Sequence, residues 1–171
     1  SLLDASYTDL RSREGSWGGS LHHASTTSPS NLLSGRIHEN TLDTWNSRFV
    51  GREKVSFNAQ LGQHKTRMFG FDSAFVDSSS MDATALRWRH AGAAVQLKSH
   101  RTDSTAFNHE FNTAFDYLTN SSGLAERHVV GELNLHRHMS GKRLDIAVEA
   151  QLDRTQMDTS RAYNQAIVQL N

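Results

Sequence analysis

Residues 107–138 read FNHEFNTAFDYLTNSSGLAERHVVGELNLHRH, and the period of this stretch decides the fold class. From Phe107 to Tyr117 the odd positions carry Phe107, Phe111, Phe115 and Tyr117, while Asn108, Glu110, Asn112 and Asp116 take even ones. A helix would spread these aromatics around its circumference; an extended strand puts them on one side. From Ala125 to His138 the pattern repeats. Val129, Leu133 and Leu135 share one face, and His128, Glu132, Asn134, His136 and His138 share the other. Between the runs sits Ser121-Ser122-Gly123. A three-residue hairpin loop is a type I turn closed by a left-handed residue, which glycine supplies without steric cost. Such a loop makes paired residue numbers sum to 244, so that Phe115 faces Val129, Phe111 faces Leu133 and Asp116 faces His128. Turn chemistry and both face patterns then point to one hairpin.

Working outward, Arg143 to Asp153 carries Leu144, Ile146, Val148, Ala150 and Leu152 on one side and Arg143, Asp145, Glu149, Gln151 and Asp153 on the other. Matching its apolar face to that of the preceding strand requires an even-length loop, either Met139-Ser140 or Met139 through Lys142; parity does not choose between them. Upstream, a two-residue turn at Ala91-Gly92 would join Leu86 and Trp88 to Val95 and Leu97, leaving Arg87 and Arg89 on the polar face. Val55, Phe57, Ala59 and Leu61 form another apolar row, followed by Phe69, Phe71 and Phe75 after a turn near His64-Lys65-Thr66. Ala5–Arg11, Ser16–His23 and Leu32–His38 read as strands between Ser/Thr/Asn/Gly loops, and Ala162–Leu170 as the last one. The expectation is an all-β chain: a long antiparallel meander of about 10–12 strands, forming a β-barrel or part of one. No helix and no domain boundary is expected, so residues 1–171 form a single β domain or a piece of a larger barrel.

Composition narrows the functional classes. Lys plus Arg and Asp plus Glu number 18 each, so no global basic field recruits nucleic acid. Cysteine is absent, which removes disulfides, thiolate catalysis and Cys-ligated zinc. No apolar run approaches the length of a transmembrane helix. Ser1-Leu2-Leu3-Asp4 lacks a start Met and any signal-peptide pattern, as expected of a mature form, an excised domain or a partial chain. Proline occurs once, arginine outnumbers lysine 14 to 4, and Ser, Thr and Asn make up about a quarter of the residues. Soluble surfaces lean on Lys and Glu; Arg, Asp, Asn and Ser suit the polar interior of a membrane barrel.

Strand length separates two architectures that share this alternation. Soluble strands run to about 5–6 residues, whereas crossing a bilayer takes about 9–11 tilted residues. The runs 107–118, 125–138 and 143–153 reach the second figure, with His109 and Arg137 as charged residues on their apolar faces. An outer-membrane barrel turns the apolar rows to lipid and the polar rows to the lumen; a soluble barrel or sandwich does the reverse. An aromatic content of 8% and a final Asn171 fit the soluble arrangement better.

Candidate chemistry is sparse. His136 and His138 share a strand face, a spacing able to grip a metal ion, with His128 and Glu132 beside them. A polar strand face whose histidines meet water or neighbouring carboxylates is the commoner use of such residues, and no metal or cofactor is expected. Arg87, Arg89, Asp116, His128, Glu132, Asn134, His136, Asp145 and Glu149 are expected on one polar surface. In a narrow lumen such charges set selectivity or plug the channel; on a soluble surface they are solvated and contribute little each. No Gly-x-Ser-x-Gly elbow and no glycine-rich phosphate loop exists, Gly18-Gly19 being a lone doublet, and no enzyme activity is expected. Gly131 inside a strand is expected to mark a close contact or a bend. The aromatic row of Phe107, Phe111, Phe115 and Tyr117 is commoner as core or lipid-facing surface than as a base-stacking platform.

In the hairpins Phe107–Tyr117, Val129–Leu135 and Leu144–Leu152 the chain resembles outer-membrane β-barrel proteins of Gram-negative bacteria, in pattern over residues 46–170. GRIHENTLDTWNSRF at 35–49, with the strand after it, is similar to barrel domains of exopolysaccharide-export porins. The resemblance implies a channel or envelope scaffold in the outer membrane, with lipid at the apolar face. It further implies a polar solute or polysaccharide in the lumen and other envelope subunits or copies as partners. The alternative is a soluble periplasmic or extracellular β module that binds a ligand or self-assembles.

Overall fold

A computed structural model describes residues 1–10, 14–27, 36–67, 85–99, 101, 106–139, 142–158 and 161–170. These form one antiparallel sheet in which each strand pairs with its sequence neighbours, in the order β1-β2-β3-β4-β5-β6-β7-β8-β9. The strands are β1 (Leu2–Asp9), β2 (Gly15–Thr27), β3 (Arg36–Val50), β4 (Glu53–Arg67), β5 (Ala85–Ser99), β6 (Asn108–Asn120), β7 (Ala125–Met139), β8 (Lys142–Asp158) and β9 (Arg161–Leu170). The fold is therefore the all-β meander expected from the alternation, with nine strands among the described residues against the ten to twelve counted from sequence. The sheet is open: β1 and β9 are its edges.

The hairpin at 121–123 has the register its turn dictates. Phe115 pairs with Val129, Phe111 with Leu133 and Asp116 with His128. Asn120 closes the loop: its Oδ1 accepts the backbone N–H groups of Ser122 at 3.0 Å and Leu124 at 2.9 Å, and its own N–H reaches the Leu124 carbonyl at 3.0 Å. Gly123 has φ 91°, a conformation in which a side chain is strained. Gly123→Val should therefore lower stability by about 1–2 kcal/mol, read as a lower denaturant midpoint with an unchanged slope; an unaltered midpoint would show that the turn does not fix this hairpin. At β7–β8, Leu135 pairs with Ile146 and Met139 with Lys142, the register given by the longer of the two expected loops.

Two expected turns do not exist. β4 runs unbroken through His64-Lys65-Thr66, and β5 runs unbroken through Ala91-Gly92. The apolar phase changes within each long strand because its outer part no longer belongs to the apolar zone, and the alternation alone mimics a turn there. Phe69, Phe71 and Phe75 lie outside the described residues. A two-residue turn at Gly51-Arg52, with Val50 paired to Glu53 and Gly51 at φ 63°, joins β3 to β4. A register irregularity lies in β8 between Gln156 and Asp158. Gly131 does not mark a close approach, since nothing lies within 4 Å of the place its Cβ would take.

Directly paired residues share a face, so the registers assign every strand residue to one of two surfaces. One carries Val55, Phe57, Leu61, Val95, Leu97, Phe111, Phe115, Val129, Leu133, Ile146, Val148 and Leu152. The other carries Glu39, Asp43, Gln60, His90, Gln96, Glu110, Asp116, His128, Glu132 and Asp153. No hydrophobic side chain among the described residues is buried, and Phe111 at 40% and Phe115 at 42% exposure are typical of the apolar face's large exposed side chains. The sheet is a single layer that has gathered its apolar side chains on one uncovered side.

Candidate functional site

The polar face is built by the even residues of β2, β4, β5, β6 and β7 and the odd residues of β3 and β8. Its charges meet across adjacent strands. His128 Nδ1 bonds the Asp153 carboxylate directly opposite, and Gln151 Nε2 donates to that carboxylate at 2.7 Å. His22 bonds Asp4 in the same manner between β2 and β1. His90 Nε2 lies 3.2 Å from Asp116 Oδ1, and the two reach each other over Gly92, where a Cβ would sit 2.8 Å from the Asp116 oxygen. Gly92 is thus required for this contact, not for a turn. Lys98 and Gln96 both hold Glu110, each at 2.8 Å.

Glu132 is the most constrained acid of the set. Asn134 Nδ2 donates to one carboxylate oxygen at 2.6 Å and Asn112 Nδ2 to the other at 3.3 Å. Glu149 stands directly opposite it on β8, so two carboxylates face each other with no cation between their strands at that level. Like charges in directly opposed positions repel, and counter-cations from solution relieve that repulsion. His136 is opposite Asp145, whose oxygen accepts from Arg143 Nε at 2.8 Å. A hollow of about 450 Å³ between β3 and β6 has Asp43, Trp45, Gln60, Gly92 and Asp116 in its wall. The indole of Trp45 lies across Gly18, which has no side chain to lift it.

Of the residues expected here, Asp116, His128, Glu132, Asn134, His136, Asp145 and Glu149 share this surface. Arg87 and Arg89 do not: they are odd residues of β5 and stand with Val95 and Leu97 on the apolar face. The correction follows from the missing turn at Ala91-Gly92, because an unbroken strand keeps its parity. His90, Lys98, Glu110, Asp43 and Glu39 belong to the polar face and were not among the expected residues. The parity of β5, read straight through Gly92, is the signal that places His90 and Lys98. His136 and His138 do share a face, but no group of three or more potential metal ligands occurs among the described residues.

In the strand residues whose side chains are described, the polar face carries ten carboxylates (Asp4, Glu39, Asp43, Glu110, Asp116, Glu126, Glu132, Asp145, Glu149, Asp153) against four fixed cations (Lys54, Lys98, Arg143, Arg161). It also holds six histidines, His22, His64, His90, His128, His136 and His138. The apolar face has the opposite sign, with eight cations (Arg48, Lys65, Arg87, Arg89, Arg127, Arg137, Lys142, Arg154) and two carboxylates, Asp9 and Glu53. Formal neutrality of the whole chain hides two oppositely charged surfaces. No family model, curated protein or solved structure matches this sequence.

Proposed function

We propose that the sheet is wall of an outer-membrane β-barrel, with the apolar face toward lipid and the acidic, histidine-rich face lining a polar lumen that passes small polar or cationic solutes. The observation that carries this reading is the banding of the apolar face. Across β4–β9 its middle is uncharged, with Phe57, Val95, Phe111, Phe115, Val129, Val148 and Leu152 in it. Its cations stand toward the strand ends: Arg137 and Lys142 toward one, Lys65, Arg87, Arg89, Arg127 and Arg154 toward the other. At about 3.3 Å per residue, ~33 Å of β7 separates Arg127 from Arg137. Tilted by about 45°, that is ~24 Å of depth, close to the ~25 Å apolar band of an outer-membrane barrel. Tyr7, Trp17 and Tyr117 add aromatic rings to the same face, Tyr7 and Trp17 with centroids 5.0 Å apart. A face destined for a protein core has no use for such banding.

Strand direction adds a constraint on closure. Nine consecutive antiparallel strands leave β1 and β9 running the same way, so joining them directly would make a parallel seam. An all-antiparallel barrel with an even strand number takes an odd number of further strands, whichever polypeptide supplies them.

The direct experiment is purification with and without detergent, then gel migration with and without boiling. The expected outcome is a detergent requirement and a folded species that migrates differently until boiled. A protein monodisperse in plain buffer would sink the reading, and the apolar faces of two sheets would then pack together as a soluble sandwich.

A further inference from the structure

The geometry points to a second interaction surface, on the apolar face, that fits the phosphate groups of anionic lipid headgroups; it rests on the membrane reading above. Lys65, Arg87, Arg89, Arg127 and Arg154 all stand on this face toward the same strand ends, those that meet the connections 28–35 and 68–84. Four of them form two directly opposed pairs: Lys65 faces Arg87 across β4–β5, and Arg127 faces Arg154 across β7–β8. Like charges so placed repel and cost stability. Among the described residues none of the five forms an ion pair with a carboxylate. The face's two carboxylates, Asp9 and Glu53, stand toward the opposite ends. Arg127 has only the ring of Tyr117, 5.8 Å from its guanidinium carbon.

An anion with several oxygens seated between the members of each pair converts repulsion into a bridge, and the guanidinium fork suits phosphate in that role. Position names the source of the phosphate. The five cations lie just outside the uncharged band, where long side chains run along apolar surface and bring their charge to the headgroup level. The two seats are three strand spacings apart, ~14 Å across the sheet, so a separate phosphate serves each. The longer connections of outer-membrane barrels lie on the external side, which assigns this rim to the outer leaflet.

The test uses the full chain in vesicles of phosphatidylcholine alone and in vesicles containing one third phosphatidylglycerol, comparing wild type with Arg127→Gln/Arg154→Gln by urea unfolding. In phosphatidylcholine the double variant should be the more stable of the two, because it has lost a repulsion. Phosphatidylglycerol should stabilise the wild type and reverse that order, the variant forgoing roughly a tenfold gain in the folded-to-unfolded ratio. A general packing defect would not change sign with lipid charge. Equal gains for both proteins would overturn the inference while leaving the membrane reading intact. Inorganic phosphate reproducing the whole gain in phosphatidylcholine would overturn the assignment to lipid. Failure to insert into either vesicle would overturn the membrane reading and this inference with it.

Discussion

In a planar lipid bilayer under a salt gradient at pH 8, the reversal potential should report several-fold preference for cations. The magnitude follows from the polar face. With its histidines neutral, ten carboxylates against four fixed cations leave six net negative charges. The sign is therefore fixed: an acidic lumen concentrates cations. Glu132→Gln/Glu149→Gln removes the two carboxylates that face each other without a cation, and should lower selectivity at pH 8 while leaving conductance in place. An anion-selective channel, or one whose reversal potential ignores the double substitution, would refute the assignment of this face to the lumen.

The parts of the fold that sequence made legible are those where alternation and turn chemistry coincide. β6, β7 and β8 were readable because apolar residues take most alternate positions through the middle of each run and Gly123 pins the first turn. β3 was not. Its face shared with Leu42 also carries Asn40, Thr44, Asn46 and Arg48, while Trp45 and Phe49 sit on the polar side, so neither surface alternates cleanly. β5 misled for a physical reason. A strand that runs past the uncharged band places arginine where valine and leucine stood further in, and Trp88 then falls on the polar face. Read one residue at a time, that reversal is indistinguishable from the parity change a turn produces. The polar face suffered accordingly: seven of its expected residues were in phase with β6–β8 and were placed together, and Arg87 and Arg89, tied to the missing turn, were not. The opposed charges of the two faces were invisible for a further reason, since their sum over the chain is zero and only the register separates them.

Depth dependence gives the sharpest expected result on the apolar side. Val148→Arg places a guanidinium near the middle of the uncharged band, opposite Leu133, and should cost about 2–4 kcal/mol of folding free energy in lipid. Leu144→Arg lies on the same face of the same strand but opposite Arg137, at the rim. There the side chain reaches the headgroups and the cost should fall to about 1 kcal/mol or less. Ala147→Arg, one residue from Val148 but opposite Asn134 on the polar face, should be as mild, because that side is wet and acidic. The three variants differ in face and depth while sharing strand and added charge. Their folding midpoints in lipid vesicles therefore isolate the solvent that meets each side chain. A soluble sandwich would penalise Leu144→Arg and Val148→Arg alike, since a protein core offers arginine no headgroup layer to reach. Equal penalties at 144 and 148 would thus exclude lipid on this face, and an equal penalty at 147 would exclude water on the other.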